Sequence, residues 1–242
     1  MNTSSTHDYF AATRWSLVLS AGNSLSPRFE SALNELCGAY WFPLYAYARH
    51  RGTANADAKD LVQSFFVSHF LRTNFLQDLN SEKGRFRAFL LACFKNHSRN
   101  ERRRAGCQKR GGGADHLPLD WATADEKYQS QLMTVETPQR AYDRAWAVTL
   151  LEQVLELLGE EMQAKGKGEL FEELKPSLMV DRADFSYGDA ANRLKLSEEA
   201  TRQAAKRLRK RYEELIREEI LKTCDPAEVE QEIQFLLNAF SD

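Results

Sequence analysis

The stretch Arg85 to Gly113, RFRAFLLACFKNHSRNERRRAGCQKRGGG, constrains the folding of this 242-residue chain more than any other. It opens apolar, turns strongly basic and stops in three consecutive glycines. From Lys83 to Arg110, ten Lys or Arg residues stand against one acid, Glu101. Phe86, Phe89, Leu90, Cys93 and Phe94 recur at steps of three and four, so one face of a helix can bury while arginines line the other. Ten like charges on one short element repel each other unless a polyanion neutralises them; the bland alternative is a solvated charged face. The company of the cations argues for the polyanion. Asn96, His97 and Asn100 sit among them, and arginines for phosphates with polar and flat side chains for exposed bases suit melted or melting DNA.

The length allows one large or two small domains. A formal net charge of −2 hides a segregated distribution, because a second basic block lies between Lys195 and Arg217. Eight cations there face four acids. Two basic elements far apart in sequence suggest a bipartite nucleic-acid footprint.

Other classes find little support. No apolar run approaches the roughly 20 residues of a membrane span, and MNTSSTHDYF does not read as a secretory signal. Cys37, Cys93, Cys107 and Cys224 show no CxxC spacing, so neither a disulfide framework nor a zinc knuckle is expected, and a reduced cytoplasmic setting is. The histidines 7, 50, 69, 97 and 116 are scattered and no carboxylates pair at metal-ligand spacing. Neither catalysis nor a cofactor is expected.

Outside the connections the periodicity along the chain is helical. Thr13 is expected to cap a short helix anchored by Trp15. Phe29 to Arg51 carries Leu33, Leu36, Cys37, Tyr40, Leu44 and Tyr45 on one broad face, and Pro43 is expected to kink it or start a second helix. Thr53 or Asn55 is placed to cap the next helix, DAKDLVQSFF, whose early acids favour the helix dipole. For Asp57, Asp60 and Gln63, simple packing and a docking face for a large partner stand about even; Leu61 and Phe65 read as core. Residues 111–137 have no clear period and read as a flexible linker. Thr137 and Pro138 open a long helix. In SYGDAANRLKLSEEATRQAAKRLRKRYEELI, Ser186 with Asp189 resembles a capping box and Ser197 caps a longer helix after the tight turn Lys195-Leu196-Ser197. That spacing is a helix-turn-helix projecting Arg202, Gln203, Lys206 and Arg207, with an ordinary helical hairpin as its alternative. A final amphipathic helix from Val229 is expected to cover the second domain. The fold class is therefore all-α: domains 1–110 and 138–242, joined by the linker.

With both basic elements in place, the chain resembles the extracytoplasmic-function group of the sigma-70 family, bacterial transcription initiation factors. The resemblance covers residues 30–110 and 138–220. DAKDLVQSFF is similar to the family's core-binding helix, which implies that Asp57, Asp60, Leu61, Gln63 and Phe66 contact core RNA polymerase. FRAFLLACFKNHSRNERRR looks like the segment that melts promoter DNA and reads its minus-ten element, implying DNA contacts by Arg85, Phe89, Asn96, Arg99, Asn100, Arg102 and Arg103. SYGDAANRLKLSEEATRQAAKRLRKR looks like the minus-thirty-five reader, implying contacts by Arg202, Gln203, Lys206, Arg207 and Lys210. TRWSLVL, YWFPLYAYAR and QKRGGG resemble a subgroup from planctomycete and acidobacterial lineages. Such factors work without a cofactor, and the resemblance admits an anti-sigma factor or regulatory kinase as a further partner. Three positions depart from the family pattern. Lys195 stands where Gly is usual, at a cost of about 1 kcal/mol if φ must be positive; Thr201 replaces an aliphatic residue and Asn100 a common Asp. A stand-alone helix-turn-helix regulator binding duplex operators as a dimer is the alternative.

Overall fold

The computed structural model describes residues 16–23, 25–71, 76, 85–105, 119, 121–179 and 184–241, and all regular structure among them is helical. The expectations for Thr13, Trp15, Cys107 and QKRGGG lie outside these residues.

Helix α1 (Ser16–Gly22) leads into α2 (Phe29–His50), which buries Leu33, Leu36, Cys37, Tyr40, Leu44, Tyr45 and Tyr47. Pro43 does not start a second helix: α2 runs past it as one element. The loss there is one backbone hydrogen bond, and the buried ring packs with its neighbours. The helix stops where Gly52 adopts φ +83°, the left-handed turn that glycine tolerates. Helix α3 (Asn55–Phe66) continues into a π-helical turn, Val67–Leu71. Neither Thr53 nor Asn55 caps it: Ala54 holds the cap position, and Asn55 Oδ1 accepts from the Tyr45 hydroxyl at 3.0 Å instead.

The basic stretch forms α4 (Phe86–Ala105). Phe86, Leu90, Leu91 and Phe94 are buried. Phe86 meets the Tyr40 ring edge-on at 5.3 Å, and Phe94 meets Phe65 at 5.3 Å and Tyr47 at 6.2 Å.

Part of the expected linker is ordered. Helix α5 (Ala124–Gln131) buries Ala124 and Tyr128, with Leu132 beyond, at steps of four. Trp121 packs edge-on against Trp41 at 4.9 Å, and Asp125 pairs with Arg49 of α2.

Helix α6 (Pro138–Ala164) starts at Thr137, whose hydroxyl accepts from the Arg140 amide at 3.2 Å, as the Thr-Pro pair anticipates. Then follow α7 (Gly168–Leu174) with a 3₁₀ turn, Lys175–Leu178; α8 (Tyr187–Leu194); α9 (Glu198–Leu221); and α10 (Val229–Asn238) after a second 3₁₀ turn.

Two compact units result, and they do not divide in 111–137. One comprises residues 1–149 and 220–242, the other 150–219. The chain leaves the first unit inside α6 and returns inside α9. Helix α10 accordingly belongs to the first unit, not to the second as its position in sequence suggested. Glu232 of α10 receives Nε and Nη2 of Arg87, from the first turn of α4, at 2.9 and 3.0 Å. Arg87 lies over the Phe235 ring at 3.5 Å and Phe235 packs on Trp146. A charge pair this buried needs both partners present, and that fixes where α10 sits.

Candidate nucleic-acid interface

Helix α4 divides its side chains as its period demands. The apolar face is in the core, and Asn96, Arg99, Asn100, Arg102 and Arg103 are exposed. His97 and Ser98, between these cations in sequence, turn inward. His97 Nε2 lies 2.9 Å from Ser64 Oγ of α3, and its ring meets His69 edge-on at 5.2 Å. Burial first, and the neighbouring His69 second, lower the His97 pKa to about 4. Near neutrality this ring is uncharged, so it adds nothing to the basic face.

Two concavities flank α4. The first, about 350 Å³, is lined by Tyr47, Arg51, Lys95, Ser98, Arg99, Arg102 and Arg103 and contains no acid. The second, about 510 Å³, is lined by Thr53, Asp57, Asp60, Leu61, Ser64, Ser98, Glu101 and Arg102. Ser98 and Arg102 line both and form the ridge between them. Charge is thus segregated over the width of one helix: cations on one side of the ridge, three carboxylates and a half-buried leucine on the other.

The residues expected on the α3 face separate. Asp57 and Asp60 are exposed and Leu61 is half-buried. Phe66 is wholly buried against Phe65 and Phe70, so it belongs to the core and cannot meet a docked partner. Gln63 is also buried, and neither its Nε2 nor its Oε1 has a hydrogen-bond partner. Both residues leave the surface set because α3 packs two faces, one on α2 and one on α4. At the start of α4, Arg85 is occupied: its Nη2 donates to Gln231 Oε1 of α10 at 2.8 Å. Phe89 is half-buried.

In the second unit, α8 and α9 are joined by Lys195-Leu196-Ser197. Ser186 Oγ accepts from the Asp189 amide at 3.4 Å and Ser197 Oγ from the Ala200 amide at 3.2 Å, so both expected caps are present. Lys195 takes φ 54° and ψ 39°, the left-handed conformation for which glycine is better suited. Thr201 is buried, with its hydroxyl donating to Ser197 O at 3.0 Å. Arg202, Gln203, Lys206, Arg207 and Lys210 are exposed. Arg202 is held by Glu198 at 2.6 Å and lies over the Tyr187 ring at 4.6 Å; Gln203 donates to Glu199 at 3.0 Å.

Two arginines of the same block have other work. Arg211 donates to both carboxylate oxygens of Glu161 at 2.6 and 3.0 Å and to Glu218 at 2.8 Å, tying α9 to α6 and raising the guanidinium pKa. Arg209 donates to Ser177 O at 3.2 Å. Tyr47, Arg51 and Lys95 line the basic concavity although sequence reasoning passes over them. The run Arg49-His50-Arg51 ending α2 is the available signal, but it also reads as ordinary compensation of a helix C-terminus.

Among the described residues no group of three or more His, Cys, Asp or Glu is placed to hold a metal ion, and no helix is long and apolar enough to cross a membrane. The chain matches no family model, no curated protein and no solved structure.

Proposed function

We propose that this protein is a sigma-type initiation factor: it binds core RNA polymerase and directs it to promoters. Its first unit serves as docking site and minus-ten reader, and α8 with α9 as a helix-turn-helix for the minus-thirty-five element. The observation that carries this reading is the charge segregation across α4. A strand of nucleic acid needs the cationic side, whereas a polypeptide partner is suited to the side with Asp57, Asp60 and Leu61. One helix serving both surfaces brings polymerase and melted strand together. A second cationic helix face, in a separate unit, supplies the second DNA contact.

Under this reading Arg99, Asn100, Arg102 and Arg103 hold the minus-ten strand, with Asn96 beside them. Arg202, Gln203, Lys206, Arg207 and Lys210 face the minus-thirty-five duplex. Arginine and glutamine are the side chains that read guanine and adenine edges in a major groove. Phe86 and Phe94 are core residues, which leaves half-buried Phe89 as the aromatic nearest to the role of opening the duplex. The chemistry calls for no catalysis, so the protein is not proposed to be an enzyme. Its place of action is the cytoplasm, where polymerase is.

The test is transcription in vitro by core polymerase over genomic fragments, with and without the protein. Starts that appear only with the protein, and share two upstream sequence elements, are the expected outcome. No stimulation beyond core polymerase alone would overturn the proposal. The alternative, a stand-alone duplex-binding regulator, draws on the α8–α9 pair forming part of a compact unit of its own. It expects a palindromic footprint without polymerase, with half-sites about one helical turn apart.

A further inference from the structure

The basic concavity between the end of α2 and the last turns of α4 holds more positive charge than folding requires. Lys95, Arg99 and Arg103 follow one another at i, i+4 and i+8, and like charges at that spacing repel by about 0.2–0.5 kcal/mol a pair. Arg51 enters from the C-terminal cap of α2, so the cluster is also assembled across two helices. The one acid of the segment, Glu101, pairs with Arg104 at 2.8 Å, on the opposite side from the cavity. Helix C-termini attract cations, but two helix ends supply only about one negative charge between them. Five cations line this cavity. The remaining lining is a phenol ring and a hydroxyl: Tyr47, with Lys95 Nζ 5.5 Å from its ring centroid, and Ser98. At about 350 Å³ the space lies at the small end of ligand pockets.

We propose that this cavity seats one nucleotide unit, its phosphate held between Arg51, at the C-terminal cap of α2, and Arg99, Arg102 and Arg103 of α4. Its sugar or base lies toward the part of the cavity wall that Tyr47 and Ser98, both nearly buried, contribute. The shared chemistry is a phosphorylated nucleoside; it can arrive within a single strand or as a free nucleotide. Arg51 is the distinctive member, because it makes the site two-sided: a flat cationic helix face has no use for it. The inference rests on reading α4 as a nucleic-acid surface but not on polymerase binding.

The test compares full-length wild type, Arg51→Ala and Arg104→Ala by fluorescence anisotropy with a labelled mixed-sequence single strand of about 12 nucleotides, a length that places several phosphates along the α4 face. Arg51 and Arg104 are both exposed, and Arg104→Ala removes a cation from the same unit without touching the cavity. The expected result is about a tenfold loss of affinity for Arg51→Ala, the size of one charge-assisted contact. The salt slope should also fall by about 0.7, with little change for Arg104→Ala. Equal losses in both variants, or none in either, would overturn the proposal. Adding a nucleoside triphosphate separates the sources. Displacement from wild type with Arg51-dependent strength supports a free nucleotide, and no displacement alongside the Arg51 effect supports the strand. A protein that fails to bind polymerase yet shows the Arg51-specific loss keeps this inference and loses the initiation-factor reading.

Discussion

Arg87 and Glu232 meet through two hydrogen bonds, 2.9 and 3.0 Å long, across 145 residues of sequence. Both side chains are buried, Arg87 also reaches Asp143 at 3.2 Å, and its backbone carbonyl accepts from the Tyr142 hydroxyl at 2.9 Å. One guanidinium thus ties α4, α6 and α10 together. Glu232→Ala leaves a buried cation with only Asp143 beside it, and should lower the stability of the first unit by about 3 kcal/mol. Urea unfolding of the variant checks this; a loss under about 1 kcal/mol would mean that Asp143 alone suffices.

Lys195 marks a second, smaller store of unfavourable energy. A side chain at φ 54° costs on the order of 1 kcal/mol, part of which glycine gives back through its freer unfolded chain. Lys195→Gly should raise stability by about 0.5 kcal/mol, read as an upward shift of the unfolding midpoint. A lowered midpoint would show that the Lys195 side chain contributes more than its backbone costs.

His97 makes stability depend on pH with a definite sign. Its folded pKa, about 4, lies below the ordinary histidine value of 6.5 in the unfolded chain. Stability is therefore full above about pH 6.5 and is lost as pH falls toward 4, because only the unfolded state takes up the proton in that window. His69, lowered mainly by burial, acts in the same direction. Carboxylates add their own dependence below about pH 5, so the informative interval is 6.5 to 5, where His97 accounts for at most about 2 kcal/mol. His97→Gln should flatten the profile there. An unchanged slope would assign it to other groups.

The cations of α9 should sort into two kinds. Arg202→Ala and Lys206→Ala remove exposed charge and should weaken duplex binding, lowering the salt slope by about 0.9 for each phosphate left without its cation, with stability nearly unchanged. Arg211→Ala should do the reverse. It breaks the pair with Glu161 and costs the second unit about 1–2 kcal/mol, while DNA affinity per folded molecule holds. Salt titrations and thermal unfolding of the three variants distinguish the two roles.

Local chemistry is the legible part of this sequence. Helical period predicts the long elements, and Thr137, Ser186 and Ser197 announce caps that depend only on residues three positions away. Among the described residues Lys195 is the one non-glycine held at positive φ, at the position where the resemblance expects Gly. Long-range pairing is not legible. Nothing near Glu232 indicates Arg87 as its partner, so sequence alone puts α10 over the wrong unit and leaves Arg85 free for DNA, although α10 holds it. Helix α5 hides because Ala124, Tyr128 and Leu132 form a short stripe within a polar, aperiodic stretch. The family resemblance puts Phe66 and Gln63 on a docking face although α3 buries two faces, and one helix's pattern does not tell a docking surface from a second core contact. The cavity at Arg51 requires two helices to be brought together, which neither segment specifies alone.

Docking on polymerase through α3 is the claim on which the proposed function depends most. Its direct test is a pull-down of purified bacterial core RNA polymerase by the full-length protein beside Asp60→Lys, a reversal of an exposed charge at the rim of the acidic concavity. Expected are stoichiometric binding by the wild type and at least a tenfold weaker complex for the variant, about the size of a close interfacial charge pair. A folded wild type that does not bind core polymerase, or equal binding by both proteins, would contradict it.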